Sequence, residues 1–232
     1  MRKNILFIGG STGIGLETIK LLQNECNIYV ASRSNENLKN LNIEYIKFDL
    51  GVDEFNSELV PEELHGFVYC PGSINLRPFR SLKISTFEED LNLNFLSMVK
   101  TLQKVINNLK KSGNSSIVLY STVAVKVGMP FHTSVSASKG AIEGFARSLS
   151  AEYAPGIRVN VLAPSLTNTQ MAERFLNNEI KKEKVGNRHP LKRCGESIDI
   201  ANYTAFLLSD KSSWITGQTL GIDGGMSTIN LS

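Results

Sequence analysis

The chain has 232 residues, of which 41% are hydrophobic, and carries a formal net charge of +3, a balance that permits a buried core and fits an ordinary globular protein. Lys and Arg are scattered without a basic run, which argues against a nucleic-acid partner. Cys26, Cys70 and Cys194 are far apart and odd in number, so they form neither a metal-ligand pattern nor a disulfide framework, and a reducing compartment is the simpler reading.

In chain order, Met1-Arg2-Lys3-Asn4 leads into the short apolar run Ile5 to Ile8. That run is too short for a signal-peptide core, and no later stretch is long enough to span a membrane, so a cytoplasmic protein with no membrane partner is expected. The run itself predicts a strand, closed by Gly9-Gly10. A helix with Ile14, Ile19 and Leu22 on its apolar stripe follows. Strands are predicted at Ile28 to Ala31, Tyr45 to Phe48 and Gly66 to Cys70. The stretch between Asp49 and Gly66 is short, which predicts a cut-down crossover. A long helix is predicted over Phe87 to Leu109, a strand over Ser116 to Tyr120 and a second long helix over Ser134 to Glu152. Strand Ile157 to Leu162, helix Ile198 to Leu208 and strand Thr219 to Ile222 complete the series. The polar stretch Asn177 to Arg193 breaks the rhythm and reads as a mobile loop with a helix, or as solvated surface. Continuous apolar strands alternating with helices predict an α/β, Rossmann-type, doubly wound parallel sheet. With no linker, repeat or low-complexity tract, one domain over residues 1–232 is expected.

The most informative segment is Gly9-Gly10-Ser11-Thr12-Gly13-Ile14-Gly15. It follows a strand and opens a helix, the context in which glycines let backbone N–H groups approach a pyrophosphate at a helix N-terminus. Gly9, Gly13 and Gly15 resemble the glycine pattern of the short-chain dehydrogenase/reductase family, with Ile8 where that family usually has Thr. Further matches run to the C-terminal end. Asp49 resembles an adenine-contacting Asp, with Leu50 beside it. Asn94 resembles a catalytic-site Asn, and Ser138-Lys139-Gly140-Ala141 the stretch holding the active-site Lys. Pro164 to Thr169 resembles Pro-Gly-x-x-x-Thr with Ser165 in place of Gly. Ile215 to Gln218 and Asp223-Gly224-Gly225 resemble the C-terminal signature. In Tyr69-Cys70-Pro71-Gly72 only Gly72 is kept from the family's Asn-Asn-Ala-Gly.

The resemblance implies a nicotinamide cofactor, and the residue types at the end of the second strand bear on its form. An NAD site places a carboxylate there for the ribose 2′-hydroxyl; here Ser32 holds that place and Arg33 follows. A guanidinium suits a 2′-phosphate, and the hydroxyls of Ser32 and Ser34 add hydrogen bonds, so NADP(H) is favoured over NAD(H). Thr12 counts against this, because NADP-preferring relatives often carry a basic residue near it.

The resemblance also implies hydride transfer to or from a small carbonyl or alcohol, with a Tyr passing the proton beside a Lys four residues later, one turn away on the same helical face. In this chain the residue four before Lys139 is Val135, which has no proton to give. Thr122 stands at the family's Ser position and Asn94 at its Asn position. The ribose-holding and polarising groups are thus expected without the proton donor. His132, seven residues before Lys139, stands at the separation used by the enoyl reductases and is one candidate substitute. Ser134 and Ser136 are poorer acids than a phenol, and Tyr120 and Tyr153 read as core. Two readings stay open: an oxidoreductase with an altered proton path, and an inactive NADP(H)-binding regulator or assembly protein. The loops Asn75 to Arg80 and Leu166 to Arg193 are expected to shape the substrate pocket. The two long helices are expected to form a homodimer or homotetramer, with Leu96, Val99, Leu149 and Tyr153 as candidate contacts.

Overall fold

The computed structural model describes residues 2–230. Seven parallel strands form one sheet in the order β3-β2-β1-β4-β5-β6-β9. They are β1 (Asn4–Ile8), β2 (Asn27–Ser32), β3 (Glu44–Lys47), β4 (Gly66–Tyr69), β5 (Ser115–Tyr120), β6 (Ile157–Pro164) and β9 (Thr219–Ile222). A separate two-stranded ladder joins β7 (Thr167–Asn168) to β8 (Gly195–Glu196). The helices are α1 (Gly13–Leu22), α2 (Ile84–Leu91), α3 (Ser97–Lys111), α4 (Val123–Lys126), α5 (Thr133–Tyr153), α6 (Glu173–Leu176), α7 (Glu179–Gly186) and α8 (Ser197–Leu208). This is the expected doubly wound α/β architecture.

The strands read as continuous apolar runs because both faces are covered. In β1, Ile5 and Phe7 enter a core shared with Ile19 of α1 and Ile200 and Leu207 of α8. Leu6 and Ile8 enter the opposite core, with Met98, Leu102 and Val105 of α3 and Ile142 of α5. The strand order reverses between β1 and β4. A cleft opens at such a switch point, outside the carboxyl ends of the strands, and both β1 and β4 end at it. The shortened crossover is present: between β3 and β4 the only helical turn is the 3₁₀ segment Ser57–Leu59.

Several boundaries differ from the sequence reading. The helix expected over Phe87 to Leu109 begins earlier and is interrupted by a π-helical turn, Asn92–Leu96. The wider turn carries Asn94, a fully buried polar residue, whose bonds lie across the interior rather than along the helix surface. The polar stretch Asn177 to Arg193 contains α7, started by the side chain of Asn178 accepting from Lys181 N at 2.9 Å, a cap that offsets the lack of an apolar stripe. Phe48 and Cys70 fall just beyond β3 and β4, where the chain turns into the cleft.

Candidate functional site

A cleft of about 850 Å³ runs along the carboxyl ends of the central strands. Its floor is the turn between β1 and α1. Gly9, Gly10 and Gly13 have φ of 73°, 86° and 59°, the left-handed region where a side chain is strained. A Cβ on Gly15 would lie 2.5 Å from Gly10 Cα and 2.8 Å from Cys70 Sγ, so the helix can approach the turn this closely only without one. Thr12, the N-cap, makes no side-chain cap bond, and the first turn of α1 holds no acidic residue. Its leading N–H groups and the positive end of its dipole therefore face the cleft. Thr169 closes the other side, with its Cγ2 3.3 Å from where a Gly13 Cβ would be. Ser11, Thr12, Ile14, Pro164 and Thr169 all line the cleft.

At the end of β2, Ser32 and Arg33 also line it. Arg33 is exposed and forms no ion pair among the described residues. Ser32 is buried, and its hydroxyl donates to Ser34 O at 2.9 Å, so it can meet a ligand only as an acceptor. The Ser34 hydroxyl accepts from Glu36 N at 3.3 Å and keeps its proton for another partner. Asp49 and Leu50 line the cleft beyond β3, with Asp49 Oδ1 accepting from Gly51 N at 3.0 Å.

The groups matched to the family's catalytic positions lie at the ends of β4 and β5. Lys139, on α5, is 8% exposed and its Nζ donates to Tyr120 O at 3.0 Å. Burial lowers its pKa to about 8, against the raising influence of Asp90 and Cys70. Thr122 caps α4, its Oγ1 accepting from Ala124 N at 3.3 Å, which leaves its hydroxyl proton to donate. Val135 lies one turn before Lys139, 5% exposed, in the wall of the same cleft. Asn94 does not reach the cleft surface. Its Nδ2 donates to Ser73 Oγ and Ser138 Oγ, each at 3.0 Å, and its Oδ1 accepts from Ser73 N at 3.2 Å. A Cβ on Gly72 would sit 3.2 Å from that Oδ1 and 3.4 Å from Lys139 Nζ, a close approach that accounts for glycine there. His132 lines the cleft at the start of α5, its Nδ1 2.7 Å from Pro130 O. Tyr120 bonds Thr204 at 2.9 Å deep in the core, as expected. Cys70, beside Gly10 and Gly15, is a half-buried thiol with its pKa pushed up to about 12 by desolvation, and therefore no nucleophile at neutral pH.

Two groups were missed by sequence reasoning. Asp90 is a buried carboxylate that accepts from Ser73, from Asn75 Nδ2 at 2.7 Å and from Ser134 Oγ at 2.6 Å. It anchors the polar network behind Lys139. Ser165 and His189 form a hydroxyl–imidazole contact in the cleft wall. Neither partner set is adjacent in sequence, so no local motif announces them.

A family model described as enoyl-(acyl carrier protein) reductase matches residues 12–227. The chain is 32% identical over 241 residues to a 3-oxoacyl-[acyl-carrier-protein] reductase from Thermotoga maritima, covering 97% of each chain. It is 29% identical over 251 residues to a 2,5-dichloro-2,5-cyclohexadiene-1,4-diol dehydrogenase from Sphingobium indicum, covering 98% of each. Among solved structures, levodione reductase superposes with a TM-score of 0.88 at 25% identity, covering 98% of each chain. A tyrosine-to-phenylalanine variant of ElxO with NADPH bound superposes with a TM-score of 0.87 at 25% identity, covering 99% of this chain and 100% of that one. Together with the strand order and the glycine turn, these matches show that the chain belongs to the short-chain dehydrogenase/reductase family.

Proposed function

We propose that this family member is an NADP(H)-linked oxidoreductase that moves hydride between the cofactor and a small carbonyl or alcohol, by a proton path that does not use the usual tyrosine. The observation that carries the reading is the convergence of the glycine turn, Arg33, Thr122 and Lys139 on one cleft. The cradle fits a dinucleotide on its own geometry. A Cβ at Gly9 would lie 3.1 Å from Pro71 Cδ, and the uncapped start of α1 presents N–H groups where a pyrophosphate is favoured. When bound, the cofactor supplies or accepts the hydride. In this chain Gly9, Ser11, Thr12, Gly13, Ile14 and Gly15 hold its phosphates, and Arg33 with Ser34 meets the 2′-phosphate. Asp49, Leu50 and Gly72 border the adenine and ribose side, with Pro164 and Thr169 at the nicotinamide end.

Lys139 holds the ribose, with Nζ fixed by the Tyr120 carbonyl. Thr122 donates a hydrogen bond from its free hydroxyl to the substrate oxygen and stabilises the charge that develops there. Asn94 fixes the backbone at Ser73 and the hydroxyl of Ser138, and so positions the segment carrying Lys139. The remaining wall includes Ile74, Leu76, Met129, Met171, Phe175 and Met226, which favours an apolar substrate. Leu76 comes from one of the loops expected to shape the pocket, and Met171 and Phe175 from the other.

Among the described residues no helix is long and apolar enough to cross a membrane. Association through α3 and α5 belongs to the same proposal. Leu96 is 41% exposed, and Val99, Phe145 and Tyr153 line a shallow groove on the outer face of these helices.

The test is transfer of label. Deuterium at nicotinamide C4 of NADPH should appear at the carbinol carbon when the protein is incubated with a panel of apolar ketones. Tight NADPH binding with no transfer to any of them would favour the inactive-regulator reading, for which the one supporting observation is Val135.

A further inference from the structure

Ser165 stands at the end of β6, and His189 follows α7 in the loop that folds back over it. Their side chains, 24 residues apart in sequence, meet in a hydrogen bond between Ser165 Oγ and His189 Nε2. The other ring nitrogen, Nδ1, is 2.9 Å from Val185 O. A carbonyl oxygen only accepts, so Nδ1 carries the ring hydrogen and Nε2 presents its lone pair to the serine. The imidazole is 2% exposed, whereas Ser165 is only half-buried, so the hydroxyl is the more accessible group. Both line the cleft that holds Thr122 and Val135. β5 and β6 pair in register with Tyr120 opposite Leu162. Continuing that register sets Thr122 beside Pro164, with Ser165 the next residue, across an inter-strand spacing of about 4.8 Å.

We propose that Ser165 is a catalytic hydroxyl for the reaction proposed above, and that His189 positions it and takes up its proton. The inference rests on that oxidoreductase reading and supplies the proton route that Val135 cannot. In alcohol oxidation the substrate O–H bond breaks and its proton goes to Ser165 Oγ. The proton of Ser165 passes at the same time to His189 Nε2. The carbinol C–H bond breaks, its electron pair leaves as hydride to nicotinamide C4 of NADP⁺, and the C=O bond forms. The imidazolium then returns its proton to Ser165 Oγ, which passes its own to solvent in the cleft once the product has left. Carbonyl reduction runs the same steps backwards, with the imidazolium recharging the serine. The Val185 carbonyl stabilises the imidazolium through Nδ1–H, as an oriented acceptor does for a catalytic histidine. The surroundings add little competing charge. Gly224, against the His189 side chain, has no side chain of its own. The Asp223 carboxylate accepts from Gly225 N at 2.9 Å and Ser227 N at 3.1 Å. Arg188 is the neighbouring cation in the cleft wall.

The chain has three histidines, His65, His132 and His189, so nitrogen-15 NMR can follow each. The unloaded protein should show His189 as the Nδ1–H tautomer, with an Nε2 resonance that shifts in Ser165→Gly. For alcohol oxidation, kcat should fall as pH drops through the NMR midpoint of His189. Ser165→Gly, the residue of the resembled motif, should lower kcat by about 10²–10⁴ with KM and NADPH affinity little changed. Ser165→Ala serves if the glycine variant fails to fold, and Ser165→Thr should restore turnover. His189→Gln should flatten the acid limb, while His132→Gln should leave it in place. Turnover that survives Ser165→Gly and Ser165→Ala with an unchanged acid limb, or a limb that disappears in His132→Gln, overturns the proposal and leaves the oxidoreductase reading standing. Absence of turnover by the unmodified protein on every substrate overturns both.

Discussion

Gly15→Ala tests the glycine cradle where the geometry leaves least room. The added methyl would lie 2.5 Å from Gly10 Cα and 2.8 Å from Cys70 Sγ. Carbon atoms in contact prefer roughly 3.5–4.0 Å, so α1 must move about 1 Å away from the turn or the turn must open. Gly10 itself has a φ of 86° and cannot retreat into an ordinary conformation without changing hand. Overpacking of this kind costs about 1–3 kcal/mol of stability. The same displacement takes the N–H groups at the start of α1 out of line with a bound pyrophosphate. Loss of one charged hydrogen bond is worth about 1.5–3 kcal/mol, or roughly 10–150-fold in NADPH affinity. Calorimetric titration and thermal unfolding on the same samples measure both effects. Gly128→Ala is the control: nothing lies within 4 Å of its added methyl, and it should leave affinity unchanged while altering stability by no more than about 1 kcal/mol. Gly15→Ala binding NADPH as tightly as the unmodified protein would refute the cradle.

Arg33→Ala should narrow the gap between NADPH and NADH affinities by about 1–3 kcal/mol, read by calorimetry with both cofactors; an unchanged gap removes Arg33 from the site. Val135→Tyr should raise ketone reduction by supplying a phenol one turn from Lys139, at a stability cost of about 1–3 kcal/mol; normal NADPH binding with no gain in rate would mean that the phenol does not reach the substrate oxygen. Lys139 titrates near 8 when folded and at its ordinary 10.5 when unfolded, so between those values the unfolded chain binds more protons and stability rises with pH. The stability difference between the unmodified protein and Lys139→Met should therefore shift in favour of the lysine from about pH 8 to about pH 10.5, as followed by urea unfolding; a flat difference refutes the burial of its charge. Light scattering should find a dimer or tetramer that Val99→Lys dissociates, and a monomer across a wide concentration range would contradict association through α3 and α5.

The fold was legible because its strands are buried on both faces. Ile5 to Ile8 carries no polar alternation that would suggest an exposed sheet, and the glycines after β1 mark the switch point; Ile157 to Leu162 does alternate, but its Arg158 and Asn160 are buried and hydrogen-bonded to Ser212 and Ile215. Boundaries were less legible where a side chain's partner lies far away. The π turn at Asn94 exists to carry an amide into contact with Ser73 and Ser138, and neither is near it in sequence. α7 has no apolar stripe and is started by Asn178 alone, so the sequence leaves open whether its residues form a loop with a helix or merely solvated surface. The glycine turn, Arg33, Thr122 and Lys139 could be found because motif spacing fixes them. His189 could not, since its partner Ser165 lies 24 residues away in sequence. The substitution of serine for glycine at 165 was visible, but not what it bonds. Ser32 shows the opposite failure: its position suggested a free hydroxyl, and the structure commits that proton to the Ser34 carbonyl.

The central claim is that this cleft holds NADP(H) in preference to NAD(H), with Arg33 meeting the extra phosphate and no carboxylate at the end of β2 to favour the bare ribose. Calorimetric titration of the unmodified protein with NADPH and with NADH tests it most directly. The account predicts one-to-one binding of NADPH, tighter than NADH by roughly tenfold or more, the scale of one charge-assisted contact. Equal affinities, or no binding of either, would contradict it.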